Sequence, residues 1–157
     1  MDNNELNRRI RYSLQLDDAD AIALMGLAGV EVTPEQAAGW RIREGEPGHE
    51  ACPRQALTGM LDGLILDRRG PPPGNTEPAK PAPVERHINN ALLKQLRIAL
   101  ALRTEEVHEL IVAGGGRLAK SETGALFRKP EARNYRVCGD QVLRWFLAGL
   151  AERRESS

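Results

Sequence analysis

What the chain lacks is the first guide to it. It has no charge excess: 22 Lys and Arg stand against 22 Asp and Glu, which excludes a uniformly basic nucleic-acid coat and an acidic disordered tail. It has only two cysteines, too few for a disulfide framework, so a reducing compartment, the cytoplasm, is the expected setting. The opening Met1-Asp2-Asn3-Asn4-Glu5 has no basic run followed by an apolar one, so no signal peptide is expected. The longest apolar stretch, Ala21 to Val30, is broken by Gly26 and Gly29 and is far too short to span a bilayer. No segment alternates with period two over five residues, which leaves no strand signal. What remains, 157 residues at 41% hydrophobic and 28% charged, is the composition of a soluble globular protein with one domain or two small ones.

Proline makes the first division. Six of the ten prolines (71, 72, 73, 78, 81 and 83) fall in the stretch from 71 to 83, where neither a helix nor a sheet ladder can continue. Residues 71–87 therefore read as a linker between 1–70 and 88–155. Shifted by 86 residues without a gap, the halves align, and fifteen of 67 columns are identical, about 22%. Chance alone gives roughly one column in sixteen, so the chain is an internal duplication. The shared columns include Asn3/Asn89, Asn4/Asn90, Arg11/Arg97, Gly29/Gly115, Cys52/Cys138 and Gly63/Gly149, and most of the others are Leu.

Each half reads as about four helices. Leu6, Ile10 and Leu14 form one apolar stripe, repeated as Leu92, Leu96 and Leu100. Asp17-Asp18 and Thr104-Glu105-Glu106 supply cap and dipole-compatible charge to a second helix, which Gly29 or Gly115 ends. Thr33-Pro34-Glu35-Gln36 is a capping box with Pro in the first helical position. Cys52-Pro53 opens a last helix carrying Leu57, Met60, Leu61 and Leu64, matched by Leu143, Phe146, Leu147 and Leu150. The expected fold is all-α: two tandem four-helix repeats related by an approximate two-fold axis. Gly inside a helix costs about 1 kcal/mol relative to Ala, so Gly63 and Gly149 are expected to mark a close approach where the two final helices pack across the repeats.

The paired NN-x-L-x-x-x-L-R-x-A-L and Cys-x-x-Gln-x-Leu blocks, joined by a Pro-rich linker, resemble the YehS-like bacterial family, a domain of unknown function present in two copies. The resemblance covers nearly all of both repeats and implies a small cytoplasmic protein. It brings no activity and no functional residues. Residues 10–43 are also similar to a phage-repressor helix-turn-helix, although the stretch from Gly29 to the cap Thr33 is longer than the usual tight turn. In the second repeat Gly114-Gly115-Gly116 replaces that turn.

Motifs of catalysis fail one by one. His108-Glu109 has Val112 where a zincin needs its second His, and the glycine triplet follows a helix and lacks GK[ST]. His49-x-x-Cys52 has metal-ligand spacing, but Tyr135 replaces the His in the second repeat and two further ligands are missing. Cys52 and Cys138 stand at equivalent helix starts, where a thiol can be activated, though a small apolar filler explains them better. No enzyme, metal, cofactor or catalytic residue is therefore expected.

Splitting the charge by repeat is more informative. Residues 1–70 carry 12 acids and 8 bases, and residues 88–157 carry 8 acids and 12 bases. The positive excess lies in Arg117, Lys120, Arg128, Lys129, Arg133 and Arg136, against Glu122 and Glu131, with Phe127 and Tyr135 interleaved. The expected function is a non-enzymatic binding or regulatory module whose basic face engages a protein partner. The alternative is RNA or DNA binding, with these cations on phosphates and Phe127 or Tyr135 stacking on bases. The plainest reading is a solvated face, or the acidic first repeat docked on the basic second.

Overall fold

A computed structural model describes residues 1–71 and 87–156. The expected linker therefore lies outside the described residues, apart from its two ends. Among the described residues eight helices follow in order: α1 (Asn3–Leu14), α2 (Asp18–Leu27), α3 (Pro34–Gly39), α4 (Arg54–Arg69), α5 (Ile88–Ala99), α6 (Thr104–Ala113), α7 (Lys120–Ala125) and α8 (Asp140–Ser156). No strand occurs among the described residues. The chain is all-α, four helices to each repeat.

Local chemistry sets the boundaries. Asp17 caps α2, accepting from the Asp20 N–H at 2.8 Å while Asp20 reaches back to the Asp17 N–H at 3.1 Å, and Thr33 and Gln36 make the same reciprocal pair at α3. In the second repeat the cap of α6 is Arg103, one residue before the expected Thr104, and its N–H is held by Glu106 at 3.0 Å. Past α2 and α6 the chain turns through Gly29 (φ +81°) and Gly115 (φ +98°), a left-handed conformation that glycine adopts without steric cost.

Within a repeat, α2 packs on α4 and α6 on α8. Between repeats, α1 packs on α8 and α5 on α4. This reciprocal exchange, first helix to the other repeat's last, is the contact pattern of a two-fold relation. It yields one continuous core in which Leu6, Ile10, Leu57, Leu61, Leu92, Leu96, Leu143 and Phe146 are buried. Across the junction Ser13 donates to the Leu147 carbonyl at 2.9 Å, and Gln95 donates to the Thr58 carbonyl at 3.0 Å and Asp62 at 2.7 Å.

Gly63 and Gly149 mark a close approach, but not the expected one. A Cβ on Gly63 would penetrate the carbonyl of Leu24, and one on Gly149 the carbonyl of Leu110. These contacts join α4 to α2 and α8 to α6, inside each repeat. The final helices meet the other repeat against α1 and α5. Recurrence at equivalent positions fits contacts inside a repeated unit as readily as contacts between two copies.

Candidate binding surface

The basic segment of the second repeat is a loop held at both ends by one side chain. Asn90, buried on α5, donates to the carbonyls of Leu126 at 3.1 Å and Arg136 at 2.9 Å, and its own carbonyl accepts the Cys138 N–H at 2.8 Å. Asn89 adds a bond to the Cys138 carbonyl at 3.0 Å. Asn4 and Asn3 make the same bonds in the first repeat, to Trp40, Glu50 and Cys52. The Asn-Asn pair is thus a clasp that fixes the loop before each final helix. Its importance was visible in the duplication as two adjacent identical polar columns, but nothing in the residue type named the partners.

A groove of about 650 Å³ opens between α7 and this loop, lined by Ser121, Glu122, Arg128, Asn134, Tyr135 and Arg136. Its floor includes Ala125. The first repeat has Gly39 there, where a Cβ would lie 2.9 Å from the Gly48 carbonyl, so that loop sits down against α3.

The expected cations are exposed, and two of them, Arg128 and Arg136, line this groove. Arg128, Lys129 and Arg133 lie on the loop, Arg117 lies before α7, and Lys120 is on its first turn. None of these five makes an ion pair among the described residues. Arg136 differs: it pairs with Glu122 across the groove. The Met1 amino group with Asp140, and Arg144 with Glu5 at 3.8 Å, are ion pairs that join the repeats. Among the described residues the basic loop takes no part in these pairs.

The two aromatic residues are not open platforms. The Arg97 guanidinium lies over Phe127, 4.5 Å from the ring centre, and the half-buried Phe127 packs against the core. Tyr135 is stacked on His87 with centres 5.9 Å apart. The Phe127 face beneath Arg97 is already covered by a cation.

The other candidates resolve as structure. Cys52 and Cys138 are each 2% exposed, and burial pushes both thiols up to about 12; both are inert fillers at this geometry. His49 Nδ1 bonds the Ile42 carbonyl at 2.7 Å, which ties up one ring nitrogen of the expected metal-spaced pair. In the helix-turn-helix likeness, α3 is six residues long, Trp40 is 2% exposed, and Arg41 pairs with Asp18 at 2.8 Å. The residues α3 turns to solvent are Pro34, Glu35 and Gln36, which offer no cation to a phosphate backbone.

Clasped loops on a shared helical core, one copy in each half, define a two-repeat all-α protein. Residues 3–70 and 89–155 each match the family described as "Protein of unknown function (DUF1456)", and the chain belongs to that family. It is similar to the Escherichia coli (strain K12) protein named "Uncharacterized protein YehS", with 40% identity over 152 residues, 96% of this chain and 95% of that one. No solved structure matches the chain. No described helix is long and apolar enough to cross a membrane.

Proposed function

We propose that this protein is a non-enzymatic binding module of the cytoplasm that presents the basic loop of its second repeat to an acidic segment of a protein partner. The observation that carries the reading is the set of exposed cations Arg128, Lys129 and Arg133 on the loop that Asn90 clasps at both ends, with Arg117 and Lys120 at the start of α7, none of which makes an ion pair among the described residues. Fixing the loop backbone beforehand lowers the ordering cost of association. Complementary charge supplies orientation and on-rate. The nucleic-acid alternative keeps its phosphate contacts but has lost the Phe127 platform, so the protein partner is favoured.

Affinity purification of the full chain from native cells, with and without nuclease, separates the two. The expected result is a partner retained after nuclease and lost from an Arg128→Glu/Arg133→Glu variant. Retention that depends on intact nucleic acid, with binding that falls steeply between low and moderate salt, would replace this reading by the alternative. A partner that binds the variant equally would remove the basic loop from the function.

A further inference from the structure

The segments that lead into the two final helices carry charge of opposite sign on one backbone plan. Residues 31–50 hold five acids and two bases, whereas the aligned residues 117–136 hold six bases and two acids. In the first repeat Glu31, Glu35, Glu44, Glu46 and Glu50 are exposed, and none makes an ion pair among the described residues. Of the two bases there, Arg41 is already held by Asp18, which leaves Arg43 among the carboxylates. In the second repeat Arg117, Lys120, Arg128, Lys129 and Arg133 are in the corresponding state, and Arg136 and Glu122 satisfy each other. At Glu31/Arg117 and Glu50/Arg136 the sign reverses within a single aligned column.

Among the described residues no ion pair joins the two patches within one chain. The α3 helix beside the acidic loop packs on α2, and the α7 helix beside the basic loop packs on α6, so each patch stays with its own repeat. A chain of zero net charge that keeps an open acidic patch and an open basic one is complementary to a second copy of itself.

The local shapes agree with the charges. The acidic loop consists of two successive tight turns, with the Glu46 N–H donating to the Arg43 carbonyl at 3.1 Å and the His49 N–H to the Glu46 carbonyl at 3.2 Å. Gly45 and Gly48, both at φ +89°, let it reverse so sharply. Asn4 closes its base on the carbonyls of Trp40 and Glu50, and Glu44, Glu46 and Pro47 between those points are exposed. The groove between α7 and the basic loop offers Arg128, Asn134 and Ser121 to carboxylates, and Val137, 49% exposed, to an apolar group such as Pro47.

We propose that this groove takes the acidic loop 43–50 of a second copy of the chain, so that copies associate head to tail. The proposal rests on the reading of the basic loop as a docking site for an acidic protein segment, and it names that segment. The contact is heterologous, because different surfaces of the two copies meet, and each end of the pair can bind again. Both loops are fixed by their asparagine clasps before they meet, which keeps the ordering cost low. A contact of this size, made mainly by exposed charge, is weak, exchanges quickly and is screened by salt.

Sedimentation equilibrium of the full chain at rising concentration, in low and in high salt, is the test. At low salt the average mass is expected to climb above that of one chain, and at high salt to return to it. Arg128→Glu/Arg133→Glu and Glu44→Lys/Glu46→Lys should each abolish the climb, because each leaves both patches of a copy with the same sign. An equimolar mixture of the two variants should regain it, since the basic loop of one then faces the acidic loop of the other. All four side chains are exposed and outside any ion pair among the described residues, so both variants should melt with the unaltered chain. The mass of one chain at every concentration, association that either variant leaves intact, or a mixture that stays at one-chain mass would overturn the proposal. The broader reading fails separately: a nuclease-resistant cellular partner that still binds Arg128→Glu/Arg133→Glu sinks it, whereas a monomeric chain whose cellular partner is lost from that variant sinks self-association alone.

Discussion

The loop from Trp40 to Cys52 and the loop from Leu126 to Cys138 hang from the same bonds and carry opposite charge. Arg41, Ile42, Glu46, His49 and Glu50 donate backbone N–H bonds to Ala38, Gly39, Arg43, Glu46 and Gly39; the residues 86 positions on donate to the matching partners. Yet Glu44, Glu46 and Glu50 face solvent on the first, where Arg128, Lys129, Arg133 and Arg136 occupy the second. The clasp and the cysteine N–H set the backbone, and neither asks anything of the exposed side chains between them. Loops so held are free to take up different chemistry on an unchanged frame. The difference between the copies is therefore the better guide to function, and their identity the better guide to architecture.

A similar exchange occurs inside the helix pairs. In the first repeat Gly59 admits Val30, whose Cγ2 would lie 2.8 Å from a Cβ at 59. In the second, Trp145 stands at the equivalent of Gly59, and Gly116 at the equivalent of Val30, where a Cβ would meet the Trp145 ring at 2.7 Å. The large and the small residue have changed places across one contact. Gly63 and Gly149 have no such latitude, because the obstacle is backbone in both repeats. Gly63→Ala and Gly149→Ala should each cost about 3 kcal/mol, a fall of roughly 6–12 °C in melting temperature for a chain of this size. Gly124→Ala, which meets nothing within 4 Å and restores the alanine found at Ala38, should leave the melting temperature unchanged or raise it. Unequal losses at 63 and 149 would show that the copies are no longer mechanically equivalent.

The helices were legible because their signals are local: a 3.6-residue apolar period, reciprocal caps, and glycine after the second helix. The duplication was legible because sequence columns survive in register. Two things were not. Which helices exchange across the repeats depends on where a stripe's second edge points, and Leu6–Ile10–Leu14 reads the same whichever partner it meets. Recurrence points Gly63 and Gly149 to a contact between the repeats, whereas their close approaches lie inside each repeat. Phe127 reads as an open stacking face in the sequence because Arg97, which lies over it, is thirty positions away.

Asn7 and Leu93 break the equivalence of α1 and α5 in the core itself. Both are 0% exposed, but neither the amide nitrogen nor the oxygen of Asn7 has a hydrogen-bond partner among the described residues. A buried amide without partners costs about 1–3 kcal/mol, and leucine is the residue the other copy places there. Asn7→Leu is therefore expected to stabilise the protein by roughly 1–3 kcal/mol, read as a higher urea midpoint with an unchanged slope. A lower midpoint would mean that the first repeat needs the amide, and that the two cores have diverged more than their backbones have.

The smallest expected difference lies in how the copies hold one arginine. Arg11 and Arg97 each donate from Nε to the carbonyl after the turn, Leu16 or Leu102, at 3.2 Å. Beyond that bond Arg11 meets Asp18, which also takes Arg41, whereas Arg97 lies over Phe127. Burial works against the charge of Asp18, but the two guanidinium groups outweigh it and hold its carboxyl below the ordinary 3.8. A carboxyl lowered on folding contributes stability above its unfolded value and loses that contribution as pH falls through the folded one. Asp18→Asn should thus be less stable than the unaltered chain at neutral pH, and the gap should close below about pH 4 as the wild-type carboxyl takes up its proton. Phe127→Ala removes an uncharged surface, so its loss should stay constant over the same interval. Urea midpoints of the three proteins from neutral to acid pH provide the measurement. An Asp18→Asn gap that persists at the acid end would mean that the carboxylate charge is not what secures Arg11, and that the two sockets differ in shape alone.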